Sequence, residues 1–151
     1  MSETFEGQCQ CGGVKYRVKG TAATVFVCHC TECQRQSASA FGMALWLRQA
    51  EVDLVCGALN EWTRLMPSGR SMVCSFCPTC GTRLFHRVLG QSALLSIKPG
   101  TLNNARALVP VGHIWTSSKQ AWVCISDTQL QYVGNPPDFD GLLAAWGASH
   151  A

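Results

Sequence analysis

The chain reads as a mainly β protein with one or two short helices. Three observations predict this. Apolar and polar residues alternate in short runs, turn residues recur between the runs, and helix-capping signals are scarce. Val14, Tyr16 and Val18 alternate with Lys15, Arg17 and Lys19, the period of a strand with one buried face. A second β-rich run covers 23–28. Further candidates cover 42–47, 52–56, 59–65, 71–76, 83–88, 93–98, 110–115 and 120–125. Gly57, Pro67-Ser68-Gly69, Gly90, Pro99-Gly100 and Asn103-Asn104 punctuate them. Thr31 with Gln34 three residues later predicts a capping box and a short helix through about Ser37. Residues 140–146 form a second helix candidate, inside a C-terminal strap over 126–151 that carries Asn135-Pro136-Pro137.

The chain has 151 residues, 47% of them hydrophobic and 14% charged, which predicts one domain over 1–151 with a substantial core and excludes disorder. The formal charge of +3 reads as mild and unclustered, favouring a small anionic ligand over nucleic acid. No run of 18 apolar residues exists, so no membrane span is expected. The opening MSETFEGQC lacks a basic, apolar and cleavable leader, so the expectation is a cytoplasmic protein with reduced thiols.

Seven of the ten cysteines fall into three tight motifs: Cys9-x-Cys11, Cys28-x-Cys30-x-x-Cys33 and Cys77-x-x-Cys80. A disulfide framework conflicts with the expected compartment. A thioredoxin-like pair needs a helix after its CxxC, whereas Cys77–Cys80 is followed by a strand candidate. Four thiolates also suit an iron–sulfur cluster, an alternative that spacing leaves open. Zinc fits best. The motifs supply four thiolates for one closed structural zinc and three for a second zinc with an open position. Cys9 and Cys11 share a face if extended, and Cys77–Cys80 with Gly81 reads as a knuckle turn.

Cys28 and Cys30 likewise share a face if extended, with His29 opposite, and Cys33 falls at the second position of a helix capped by Thr31. Positive potential at a helix start favours a thiolate there. Three soft thiolates suit a zinc that takes a thiol substrate as fourth ligand better than one that activates water. The alternative is a second closed site completed by Cys74, Cys56 or His29. Cys56 and Cys124 are expected in the core, and Cys74 is either core or ligand. His29 is expected to bond a backbone carbonyl, with contact to substrate and proton donation as its other candidate roles. His86 and His113 read as structural or surface histidines. Arg35 and Lys119 read as solvated charges, and are also the cations to consider for holding an anionic substrate.

The motifs resemble a known family. Gly7-x-Cys9-x-Cys11-Gly12-x-Val14-x-Tyr16, Cys28-His29-Cys30-x-x-Cys33-x-Arg35 and Phe76-Cys77-x-x-Cys80-Gly81-x-x-Leu84 are similar to those of the glutathione-dependent formaldehyde-activating (GFA/CENP-V) family. Gly100-Thr101-Leu102 and His113-Ile114-Trp115, followed by Lys119 and Trp122, fit the same pattern, so the resemblance covers about 5–125. It implies a β-tent of antiparallel sheets, with a structural zinc on Cys9, Cys11, Cys77 and Cys80. It also implies a catalytic zinc on Cys28, Cys30 and Cys33. The implied reaction is condensation of formaldehyde with glutathione to S-hydroxymethylglutathione, a carbon–sulfur lyase activity. Asn103-Asn104 stands where family members often carry an acidic residue. Two expectations follow: an enzyme acting on a small-thiol adduct, or a non-catalytic zinc module that binds a protein partner.

Overall fold

The computed structural model describes all 151 residues, Met1–Ala151. Its elements are β1 (Glu3–Gln8), β2 (Lys15–Cys28), α1 (Thr31–Ser37), β3 (Gly42–Cys56), β4 (Asn60–Leu65), β5 (Ser71–Phe76), β6 (Arg83–Val88), β7 (Leu94–Ile97), β8 (Gly112–Ile114), β9 (Leu130–Gln131) and α2 (Asp140–Ser149). The protein is therefore mainly β, with two helices. The chain divides into two compact units, one of Met1–Ala22 with Trp46–Ala107 and one of Ala23–Leu45 with Leu108–Ala151. Strands β2 and β3 contribute residues to both.

In the first unit the strands run in the order β4-β5-β6-β7-β3-β2, with β1 paired to β2. The pairings β1–β2, β4–β5, β5–β6 and β6–β7 are all antiparallel. Val14, Tyr16, Val18, Leu47, Leu84, Phe85 and Ile97 fill the core. The Tyr16 ring meets Phe85 edge-on at 4.8 Å, and its hydroxyl bonds the Thr101 hydroxyl at 2.8 Å. A Cβ on Gly7 would collide with the Tyr16 hydroxyl and the Thr101 carbonyl. Gly7, Tyr16 and Gly100-Thr101 of the sequence motifs are thus one packing unit.

In the second unit β8 pairs with β2 (Phe26↔Gly112, Cys28↔Ile114) and with β9, both in parallel. The antiparallel expectation therefore fails here, because these strands are distant in sequence and free of hairpin connections. Val25, Phe26, Val27, Leu45, Ile114, Leu142 and Trp146 form the core. The Thr24 hydroxyl donates to the Leu142 carbonyl at 3.1 Å, which docks α2.

The strand expected over 120–125 is absent. Val123 N–H turns back to the Gln120 carbonyl at 3.0 Å, and the Lys119 ammonium binds the Gln120 and Val123 carbonyls at 3.3 and 2.7 Å. Backbone acceptors satisfied locally leave no ladder to join. Cys56 and Cys124 are exposed rather than core, whereas Cys74 is a buried core thiol. The whole end of β3 from Glu51 to Cys56 is exposed, so its apolar run covers no core.

Candidate metal centres

Four cysteines converge in the first unit. The ligand sulfurs of Cys9, Cys11, Cys77 and Cys80 all lie within 4.8 Å of one another. Two matching turns bring them together. Cys9 N–H bonds the Val14 carbonyl and Cys77 N–H the Thr82 carbonyl, at 3.0 and 2.9 Å. Each turn needs a residue in the left-handed region, and glycine supplies it: Gly12 at φ 74° and Gly81 at φ 75°. The extended Cys9-x-Cys11 expected from the sequence is therefore corrected to a knuckle like that of Cys77–Cys80. β1 stops at Gln8, so the turn rather than strand alternation aims the two sulfurs.

The geometry suits tetrahedral zinc. A Zn–S bond of about 2.3 Å gives a tetrahedron edge of about 3.8 Å. Cys9 and Cys11 sulfurs are 3.5 Å apart, and Cys11 and Cys77 sulfurs 3.8 Å. All ten cysteines are free thiols. Backbone N–H groups of Val14 and Gly13 approach the Cys9 and Cys11 sulfurs at 3.2 and 3.4 Å, favouring thiolates. The sulfurs compete for that charge. The Gly13 N–H favours ionised Cys11, but hydrogen bonding with Cys9 and Cys80 overrides it and pushes Cys11 up to about 12. Hydrogen bonds from the Thr82 hydroxyl and N–H hold Cys80 down at about 5. A divalent cation at the centre would remove this conflict by accepting all four thiolates.

Cys28, Cys30 and Cys33 converge in the second unit, again within 4.8 Å, and no fourth Cys, His, Asp or Glu joins them. Cys28 ends β2. Cys30, not Thr31, caps α1: its extended backbone opens the helix and its sulfur accepts the Cys33 N–H at 3.3 Å. Cys33 is then the third helical residue rather than the second. Gln34 makes no capping box; its amide binds the His29 and Ser118 carbonyls at 2.8 and 2.9 Å. The Ser118 hydroxyl also donates to the His29 carbonyl at 2.8 Å. These bonds clamp the backbone between Cys28 and Cys30. Hydrogen bonds with Cys28 and Cys33 hold Cys30 down at about 2. Hydrogen bonding to Cys30 and Cys33, then burial, push Cys28 up. As in the first cluster, three thiolates so close fit a metal cation.

The His29 side chain is fully buried and bonds another histidine, not the backbone carbonyl expected. His29 Nε2 and His113 Nδ1 are 2.8 Å apart, and His113 Nε2 is 3.1 Å from Gln129 Oε1. Gln129 donates its amide to the Pro110 carbonyl at 2.7 Å, which fixes Oε1 as an acceptor. His113 Nε2 therefore carries a proton, and His113 Nδ1 accepts one from His29 Nε2. The lone pair is left on His29 Nδ1, which has no protein donor. Burial, then His113 and Lys119, lower His29 to about 4, so the ring is neutral. No sequence signal marks Gln129, whereas buried His113 takes the structural role expected of it.

The two cations considered for an anionic substrate each have a partner in the fold. Arg35 is exposed and paired with Glu32 at 3.0 Å. The Lys119 ammonium is tied to the Gln120 and Val123 carbonyls.

The comparisons agree with this architecture. The family model described as glutathione-dependent formaldehyde-activating enzyme matches residues 4–118. The chain belongs to this family. The matched residues include all seven clustered cysteines, so the GFA assignment and the two metal clusters concern the same part of the chain. A crystal structure of a Rhodobacter sphaeroides protein, a structural genomics target, aligns with a TM-score of 0.53 at 23% identity. The alignment covers 70% of this chain and 97% of that one, and shows a shared fold. A search of curated proteins gives no match. No helix of the structure is long and apolar enough to cross a membrane.

Proposed function

We propose that this GFA-family chain is a zinc-dependent enzyme of the carbon–sulfur lyase type, acting on the adduct of a small thiol and an aldehyde. Glutathione and formaldehyde are the leading pair. The observation that carries the reading is the three-sulfur cluster that no fourth protein ligand joins. The family description supports the thiol and the aldehyde.

Cys28, Cys30 and Cys33 would hold the catalytic zinc, which supplies a soft Lewis acid with one open position for a thiol sulfur. Cys9, Cys11, Cys77 and Cys80 would hold a structural zinc. In the forward direction the substrate thiol gives its proton to water, its sulfur forms a bond to the aldehyde carbon, the carbonyl π pair moves to oxygen, and that oxygen takes a proton back from water. The reverse breaks the carbon–sulfur bond and returns the thiolate. The protein's part is positional. Cys30 starts α1 and accepts the Cys33 N–H, while Gln34 and Ser118 fix the peptide between Cys28 and Cys30. Buried His29, held by His113 and Gln129, packs this segment, and of the two proton donors considered, His29 and water, the reading favours water. A protein that depends on seven reduced cysteines suits the cytoplasm.

Exchange spectroscopy by NMR on a glutathione–formaldehyde mixture tests this reading. The metal-loaded protein should raise the rate of interconversion between free and adduct forms in proportion to its concentration. Cys30→Ser should remove that increase. No acceleration by fully metal-loaded protein would leave the non-catalytic zinc module as the account of this chain.

A further inference from the structure

Charge along this chain is less even than its total implies. Residues 62–126 contain no Asp or Glu, yet hold seven of the twelve Lys and Arg residues. This corrects the expectation of unclustered charge. The sheet of the first unit then concentrates part of that charge on one face. Cross-strand partners share a face, and the register pairs Trp62 with Cys74, Cys74 with His86, and His86 with Ser96. Alternation puts Arg64 on the same face as Trp62 and Lys98 on the same face as Ser96, and Lys98 N–H binds the Leu84 carbonyl opposite it. The bulge at Ser75/Phe76 brings Arg83 opposite Phe76, onto this face as well. Strands β5, β6 and β7 contain no carboxylate. The Glu61 of β4 belongs to the opposite face, bridged there to Arg87 at 2.9 Å.

Burial separates these cations from the others. Arg64, Arg83 and Lys98 are half-buried, whereas the other Lys and Arg residues of the first unit are exposed. Arg83 is oriented by two contacts. Its Nη1 donates to His86 Nε2 at 3.1 Å, and its guanidinium stands 5.8 Å from the Trp62 ring centroid. A guanidinium only donates, so His86 Nε2 is the acceptor and His86 carries its proton on Nδ1. The imidazole thus offers a further donor. Burial, then Lys98, Arg83 and Arg64, hold His86 at about 3, in keeping with the shared face that the register gives these residues.

We propose that this face is a binding site for a small oxyanion, a carboxylate or phosphate group, held by Arg83 beside the Trp62 ring, with Arg64 and Lys98 on the same face. A forked guanidinium matches the two oxygens of either group. The half-buried setting suits a small ligand; a nucleic-acid strand would want an exposed stripe of cations. The site is independent of the thiol chemistry proposed for Cys28, Cys30 and Cys33.

The test titrates inorganic phosphate, and separately glutarate, into the full metal-loaded chain at constant ionic strength set by sodium chloride. NMR follows the His86 imidazole signals, assigned with His86→Gln. At least one probe should give a saturable shift, and Arg83→Gln should weaken that binding about tenfold or more, the loss expected of a charge-assisted hydrogen bond. Arg87→Gln, on the opposite face, should leave it unchanged. If Arg83→Gln does not fold by circular dichroism and metal content, Lys98→Gln replaces it. Saturation by phosphate alone, by glutarate alone or by both supports the site and identifies the source. A linear drift with both probes, or affinity unchanged in the folded variant, overturns it.

Discussion

Gly57→Ala isolates one packing contact beside the four-cysteine centre. Gly57 sits at φ 81°, and an added Cβ would run into the Gly13 carbonyl, with its carbon at 3.1 Å and Val14 Cα at 3.2 Å. Forcing alanine into the left-handed region costs about 1–2 kcal/mol. Overpacking against rigid backbone adds about 1–3 kcal/mol, so the variant should lose about 2–5 kcal/mol in all. A domain of this size shifts by about 2–4 °C per kcal/mol, which predicts a melting temperature lower by roughly 4–20 °C. Gly69 provides the control. It has φ 83° and nothing within 4 Å of a Cβ, so Gly69→Ala carries only the backbone cost. Calorimetry of the metal-loaded proteins should place Gly57→Ala clearly below Gly69→Ala. The strain should also reach the metal, because Gly13 N–H donates to the Cys11 sulfur. Equal melting of the two variants would refute the claim that Gly57 is required by the approach of Gly13.

Three further outcomes follow. Cys77→Ser should reduce metal content by one ion per chain and destabilise the fold, since apparent zinc-binding energies reach about 10–16 kcal/mol; a variant with full metal and unchanged melting would contradict this. Cys30→Ser should cut thiol-linked turnover more than about 100-fold, beyond the usual loss for outer-shell changes, while the four-cysteine centre keeps its ion by elemental analysis. His86 is held at about 3 in the fold by burial and by Lys98, Arg83 and Arg64, against 6.5 unperturbed. The unfolded chain binds the extra proton between those values, so this contribution is intact above pH 6.5 and is lost as pH falls towards 3. His86→Gln should flatten that part of the stability profile by up to about 1.4 kcal/mol per pH unit, measured by urea unfolding across pH.

The sequence was most legible where alternation and punctuation agreed. β5 and β6 cover the expected 71–76 and 83–88, bounded by Gly69 and by the knuckle ending at Gly81. It was less legible where glycine meant close approach instead of a turn. Gly20 lies against Leu47 and Ala50, so two expected runs fuse into β2. Likewise Gln49 takes φ 51° without ending β3. β1 escaped notice because Phe5 is its one large apolar side chain. The two clusters were readable because ligand spacing is local. Their supports were not: the Cys30 cap replaces an expected Thr31 cap, and the His29–His113–Gln129 chain joins residues 84 and 16 positions apart. The basic face formed by Arg64, Arg83 and Lys98 depends on strand register and a bulge, which composition averages away.

Cobalt substitution tests the central claim, that the chain holds one closed four-thiolate centre and one three-thiolate centre open to a thiol. The Cys77→Ser and Cys30→Ser variants assign the two sets of absorption bands. Wild-type protein should bind two Co(II) ions per chain, and glutathione should alter only the bands lost in Cys30→Ser. One ion per chain, or bands at the Cys28–Cys30–Cys33 centre that no thiol changes, would contradict it.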